Sequence, residues 1–396
     1  MTRALVVAPQ WIGDAVMSEP LIARLAARGE QVAVAALPWV APVYRAMPVV
    51  AEVIEWPFAH GRLDIAARWR AAAALRGRFD VAYVLPNSIK SALVPWWAGI
   101  PTRIGYRGEG RWGLLNRALA NPGGRPPMVA YYLALAHRGT HAAPPPVADV
   151  WPAAAAPMSA PSAPPAQAPS ATARGSGPGQ SVALHVGEQR ERAPRAQFGA
   201  AAERPRLALP ADAVASALGR AGLERGRFWA FAPGAEYGPA KRWPTAHYAD
   251  LARALQRASG YPVVLLGSSG EAALCAEIAA LASGACRVLA GRLSLLESMA
   301  VLSAAKGVVT NDSGLMHVAA AFEVPQVAVF GSTSPTHTPP LSPRARVLWL
   351  KDELGLDCMP CFERTCRFGH YGCLTGVRPE RVEAALRGTV DAASPA

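Results

Sequence analysis

Val308-Val309-Thr310-Asn311-Asp312-Ser313-Gly314-Leu315-Met316-His317 is the stretch from which the fold can be read. Val308–Thr310 suit a buried strand, and Ser313–Phe322 carry the composition of a helix that begins at once after a short polar turn. A strand running into a helix through such a turn is the repeating unit of a parallel α/β sheet. The same unit recurs outward in both directions. The strands Phe228–Ala232, Val263–Leu266 and Val327–Phe330 alternate with the helices Ala246–Ala258, Glu271–Leu281 and Leu295–Ala304. Nearer the N-terminus, the strands Leu5–Ala8, Val32–Leu37 and Phe79–Leu85 alternate with the helices Ala15–Ala27, Asp64–Leu75 and Ser88–Trp97. Strands that are apolar almost throughout suit sheets covered on both faces. The pattern therefore predicts an α/β protein of two doubly wound, Rossmann-like halves.

The chain has 396 residues, 51% apolar and 17% charged, which excludes a wholly disordered protein and fits two domains. Between the halves the material changes. Ten prolines fall between Pro144 and Pro178 among Ala and Ser, a composition that holds no helix and suits an extended, mobile linker. The predicted boundaries are residues 1–141, a Pro/Ala-rich disordered linker over 142–206, and residues 207–396, with a helix over Ala211–Ala221. No run is long and apolar enough to cross a membrane, and Ala4–Ala8 is too short for the core of an export signal. A cytoplasmic location is expected. The net charge of +12 points to an anionic partner. Residues 1–141 hold 16 basic and 8 acidic side chains, a difference of +8, so the excess is concentrated in the first half.

Ligands of open α/β sheets bind beyond the carboxyl ends of the strands, so the loops there carry the chemistry. After the first strand comes Pro9-Gln10-Trp11-Ile12-Gly13-Asp14. Asp14 reads either as a helix N-cap or as a general base at the sheet mouth. The loop Pro233–Pro244 offers Lys241 and Arg242 in a Gly/Pro-shaped turn, either a solvated basic pair or a point charge and a fork for a diphosphate. Ser313 and Gly314 would present backbone N–H groups at a helix start, where an anion is favoured. His317, on the first turn, either packs or faces the same ligand. Phe330–Pro335 adds a further rim of small residues.

Together with Tyr83–Pro95 and Thr338–Ser342, these loops resemble the heptosyltransferase II family, bacterial enzymes of glycosyltransferase family 9 with the two-domain GT-B fold. The resemblance spans roughly residues 3–140 and 206–390 and implies two Rossmann-like domains facing across a cleft. It implies transfer of L-glycero-D-manno-heptose from ADP-heptose to O3 of the first inner-core heptose on Kdo–lipid A, with inversion, release of ADP and no required cofactor. By the same resemblance Asp14 is the general base and Lys241 contacts phosphate. Gly13, Arg242, Ser313, Gly314, Leu315 and His317 belong to the donor site. Glu271 matches a ribose-binding acid, Leu293 lies near adenine, and Asp312 stands at the sugar end. Asn87 and Lys90 are candidates for the acceptor's anionic groups. The lipid acceptor implies peripheral contact with the inner leaflet of the inner membrane, and no nucleic-acid partner is expected. Two other readings are an epimerase on the same fold and a non-catalytic binder of glycolipid or nucleotide.

Three further signals lie outside this scheme. Gly108–Gly113 fits G-x-G-x-x-G but comes late in the first half, without an acidic partner, and is set aside. Cys358, Cys361, Cys366 and Cys373 leave structural zinc, a disulfide or free thiols open. Ile65 and Trp69 share a face of the Asp64–Leu75 helix, and core packing is the plainer reading against membrane contact.

Overall fold

A computed structural model describes residues 1–58, 63–136 and 203–393; all of the expected linker except residues 203–206 lies outside the described residues. The first half builds a sheet from β1 (Arg3–Val7), β2 (Gln31–Ala36), β3 (Glu52–Glu55), β4 (Val81–Val84), β5 (Thr102–Tyr106) and β6 (Arg117–Leu119), in the spatial order β3-β2-β1-β4-β5-β6. The second half builds another from β7 (Trp229–Ala232), β8 (Val263–Leu265), β9 (Cys286–Val288), β10 (Gly307–Asn311), β11 (Gln326–Val329) and β12 (Ala345–Leu348), in the order β12-β11-β10-β7-β8-β9. Every pairing between these strands is parallel. The central strands β1, β4, β7, β10 and β11 are buried almost end to end, as their Val- and Ala-rich sequences require under helices on both faces.

Both sheets have the doubly wound order, in which the direction of winding reverses between the first and fourth strands. In the first sheet that point lies between β1 and β4, paired through Val7 and Val84. In the second it lies between β7 and β10, paired through Ala232 and Thr310. The loops that follow these four strands are 8–11, 85–88, 233–244 and 312–313, within the stretches singled out by sequence.

The expected helix Ala15–Ala27 is two helices, Ile12–Met17 and Glu19–Ala27. Pro20 lacks the N–H a helix interior needs, so the helix restarts there, and the Ser18 hydroxyl donates to the Ala15 carbonyl at 2.7 Å. The helix Ile65–Leu75 corrects the core-packing reading of its Trp face. Ile65 and Trp69 are 58% and 49% exposed, while Ala67, Arg68, Ala72 and Leu75 are the buried residues. Arg68 is tolerated inside because its guanidinium donates to the Lys90 carbonyl at 2.9 Å and lies 4.2 Å from the Phe58 ring centre.

Glu19 is 3% exposed and accepts the Arg206 N–H at 3.1 Å, where the chain re-enters the described structure. Burial pushes its carboxyl up to about 7, against the lowering effect of Arg206. The folded state therefore binds the Glu19 proton more tightly than the unfolded chain, and this stability is lost as pH rises from the ordinary carboxylate range through about 7. Glu19→Gln should raise the melting temperature at pH 8 and leave it nearly unchanged at pH 4.5. The gain should be on the order of 1–3 kcal/mol. Equal shifts at both pH values in a thermal melt would count against it.

Candidate functional site

Three cavities open where the two sheets' loops meet. The first, about 680 Å³, is lined mainly from the first half and includes Asp14, Asn87, Lys90, Arg125, Tyr131 and Tyr132. The central one, also about 680 Å³, is shared by both halves and includes Gly13, Asp14, Lys241, Asp312, Ser313 and His317. The third, about 610 Å³, belongs mostly to the second half and includes Gly234, Arg242, Glu271, Leu293, Ser313 and Leu315. Asp14 borders the first two, and Ser313 and Gly314 border the last two.

The centre is fixed by β10 and the turn that follows it. Asn311, fully buried, accepts the Trp243 N–H at 3.0 Å and the Tyr248 hydroxyl at 3.1 Å, and donates to the Pro233 carbonyl at 2.5 Å. One amide thus ties both ends of the 233–243 loop to the sheet. Asp312 receives Lys241 Nζ at 2.6 Å and the Thr333 hydroxyl at 2.6 Å, so the Lys241 ammonium is held at a defined point of the central cavity. The Arg242 guanidinium turns toward the third cavity and donates to the Ala235 carbonyl at 3.2 Å and 3.3 Å. Ser313 is the N-cap of helix Gly314–Ala321 and makes no side-chain cap, which leaves the first-turn N–H groups facing the cavities. His317 is 5% exposed, and burial pushes it down to about 4, so it is neutral near pH 7.

In the third cavity, Glu271 Oε2 accepts the N–H and hydroxyl of Ser268 at 2.8 Å and 2.9 Å, completing a capping box. Its Oε1 lies over Gly234, where a Cβ would come within 1.6 Å. Glycine is required there because the carboxylate occupies the space a side chain would take. Leu293 joins Leu266, Leu295 and Leu315 as an apolar wall suited to a planar base.

Asp14 is the third residue of helix Ile12–Met17, whose N-cap is Trp11, so it is not the cap. Burial pushes its carboxyl up to about 6, while a hydrogen bond with Tyr132 and the charge of Lys241 pull it down. Gly13 lies beside it, where a Cβ would meet His317 Cδ2 at 2.9 Å. In the first cavity, Asn87 donates to the Tyr131 hydroxyl at 2.8 Å and accepts from Arg111 at 3.2 Å, so its amide is engaged within the wall. Lys90 lines the same cavity near the start of helix Ile89–Trp97. Arg111, from the G-x-G-x-x-G stretch, is 4% exposed and donates to the Pro86 carbonyl, which makes that stretch a structural turn.

Sequence reasoning missed Tyr132, Asn311 and Tyr237. Tyr132 sits in the continuous apolar run Met128–Ala136, which marks it as core, and nothing in its neighbours says that its hydroxyl reaches Asp14. The four clustered cysteines are free thiols, and among the described residues no group of three or more His, Cys, Asp or Glu side chains is placed to hold a metal ion. Of the three readings of this cluster, the arrangement of the described residues is that of free thiols. Cys366 is turned into its own hairpin: slight burial raises its thiol, but the N–H groups of Tyr371, Phe368, Gly369 and His370 outweigh that and hold it below the ordinary range.

Residues 68–160 and 184–372 match the profile of glycosyltransferase family 9 (heptosyltransferase). The chain is 40% identical over 361 residues to lipopolysaccharide heptosyltransferase 2 of Escherichia coli K12, covering 88% of each chain. The solved structure of E. coli ADP-heptose LPS heptosyltransferase II superposes with a TM-score of 0.73 at 34% identity over 99% of both chains. A family 9 glycosyltransferase from Veillonella parvula shares the fold, with a TM-score of 0.72 at 18% identity over 99% of this chain and 98% of its own.

Gly234→Ala tests the third cavity. The new Cβ must expel the Glu271 carboxylate, and adenosine affinity should fall about tenfold or more as a charged hydrogen-bond acceptor is lost. Calorimetric titration with adenosine checks it; unchanged affinity would remove Glu271 from nucleoside binding.

Proposed function

The chain belongs to glycosyltransferase family 9, the heptosyltransferases, and on that premise we propose that it transfers L-glycero-D-manno-heptose from ADP-heptose to O3 of the first inner-core heptose of Kdo–lipid A. The observation that carries the reading is the position of Asp14, on the border between the first and central cavities with its carboxyl raised to about 6. A base must reach an acceptor hydroxyl on one side and a donor anomeric carbon on the other, and a carboxylate on that border can serve both. The relatives named as heptosyltransferases favour transfer over an epimerase or a non-catalytic binder.

In this reading the adenosine lies in the third cavity, its ribose toward Glu271 and its base on the wall around Leu293. The diphosphate lies beside Lys241 and the N–H groups of Ser313, Gly314 and Leu315, whose fixed dipoles favour the charge that develops on it. The heptose extends into the central cavity toward Asp312. The acceptor enters the first cavity, near Lys90. As the acceptor O3 forms its bond to the anomeric carbon, Asp14 takes the O3 proton. The bond from that carbon to the β-phosphate oxygen breaks and ADP leaves with the electron pair. Attack opposite the leaving group inverts the centre.

Two features support contact with a lipid surface. Exposed Ile65, Trp69 and Trp96 lie on the helix pair Ile65–Leu75 and Ile89–Trp97, with exposed Arg70 and Arg76 beside them. Amphipathic rings with nearby cations suit an anionic interface. Among the described residues no helix is long and apolar enough to cross a membrane. Flotation with vesicles containing anionic lipid should recover the protein at low salt and release it at high salt. Absence from the vesicle fraction at low salt would defeat this part of the proposal.

Asp14→Asn should lower kcat by about 10²–10⁴-fold with ADP-heptose binding retained. For the wild type, kcat/KM should rise with pH through about 6 as Asp14 ionises. Tyr132→Phe removes a hydrogen bond that stabilises the carboxylate, so its acid limb should move to higher pH. Acceptor-dependent ADP release across pH 5–9 tests all three, and an unmoved acid limb in both variants would take the base role from Asp14.

A further inference from the structure

The loop of four cysteines passes directly over the 237–241 turn. Phe362 N–H donates to the Ser332 carbonyl at 2.7 Å, and the Tyr237 hydroxyl donates to the Phe362 carbonyl. Two residues on, the Arg364 carbonyl accepts the Ala240 N–H at 3.1 Å. It also lies so close to Gly238, which has a φ of +150°, that a Cβ there would come within 2.4 Å of it. The main chain of Arg364 is therefore fixed against the loop that carries Lys241.

Arg364 also lines the central cavity. The guanidinium carbon lies 5.6 Å from the Tyr237 ring centre, and Lys241 Nζ lies 5.0 Å from the same ring. Charge decides what this placement means. The cavity wall carries three acids, Asp14, Glu236 and Asp312, against two cations, Lys241 and Arg364. Lys241 is already engaged by Asp312 at 2.6 Å. Arg364 makes no ion pair with any carboxylate among the described residues. A diphosphate entering an otherwise acidic cavity needs a cation whose charge is not already matched, and a guanidinium fork suits two phosphate oxygens.

We propose that Arg364, carried into the cavity by the cysteine loop, is a diphosphate-binding residue of the donor site. The inference rests on the donor reading above and adds to it a ligand from a loop outside the four strand ends.

Calorimetric titration with ADP and with adenosine, on the full chain, tests it. Arg364→Ala should weaken ADP by about tenfold or more while changing adenosine less than about twofold. Arg364→Lys should recover part of the loss, and Arg367→Ala, on the same loop, should behave as the wild type. The alanine variant keeps the carbonyl contacts to Gly238 and Ala240, because these belong to the main chain. Equal losses for ADP and adenosine would make Arg364 a support of the fold and overturn the proposal. Wild-type affinity for ADP, with a raised acceptor KM, would move it to the acceptor and also overturn it. A wild-type chain that binds adenosine but not ADP would instead refute the donor reading itself.

Discussion

The close approach of Gly13 and Gly314 is the constraint on which the rest of the site depends. A Cβ on Gly314 would come within 2.9 Å of Ile12 Cβ, and one on Gly13 within 2.9 Å of His317 Cδ2. Only hydrogen in place of both side chains lets the loop after β1 meet the start of helix Gly314–Ala321. That contact joins the cavities: it sets Asp14 on one side and the first-turn N–H groups on the other. The neutral state of His317 follows from the same packing, since an imidazole enclosed between the two loops loses the water that would stabilise its cation.

The order of dependence runs outward from there. Asn311 ties Pro233 and Trp243 to the end of β10, and the loop so held places Lys241 beside Asp312. Breaking a buried charge pair is costlier than never forming it, so Asp312 and Lys241 constrain each other tightly. The cysteine loop then closes over this assembly through Tyr237, Gly238 and Ala240. On the other side, the Arg125 guanidinium lies 3.7 Å from the Phe362 ring centre, and His337 Nδ1 donates to the Pro126 carbonyl at 2.6 Å. The first half therefore touches the same strap and rim that border the central cavity.

The central strands and the loops behind them were legible in sequence because burial on both faces leaves a continuous apolar run, and a turn at a switch point needs small or polar residues. The interior strand β5 was not, since Arg103 and Gly105 interrupt its apolar run, and neither were the outer strands β3, β6, β9 and β12. Each outer strand lies at the edge of its sheet, is three or four residues long and carries charge, such as Glu52 and Glu55, Arg117, Arg287 and Arg346. Charges suppress edge pairing between molecules and, for the same reason, erase the apolar signal. At the site, Lys241 and Asp312 were visible as residue types in loops, but their mutual pairing was not, since 71 positions separate them. Tyr132 comes from a segment with no motif, and Arg364 from a cysteine cluster whose spacing says nothing of a phosphate. Only the fold brings them there.

Those late arrivals bear on which group can act as base. Burial pushes the hydroxyls of Tyr44 and Tyr132 far above neutrality, so both stay protonated and neither offers a phenolate as base. His317 is neutral, but its pKa near 4 makes it a weaker proton acceptor than Asp14. Glu19 reaches about 7, yet it is engaged by the Arg206 N–H and lines none of the three cavities. Asp14, at about 6, is ionised for most of its population at neutral pH and holds a more basic oxygen than an ordinary aspartate. Strength as a base and occupancy of the basic form pull in opposite directions, and their product is greatest when the pKa lies near the working pH. The burial imposed by the Gly13–Gly314 contact raises Asp14 toward that optimum, while Tyr132 and Lys241 keep it from rising past it.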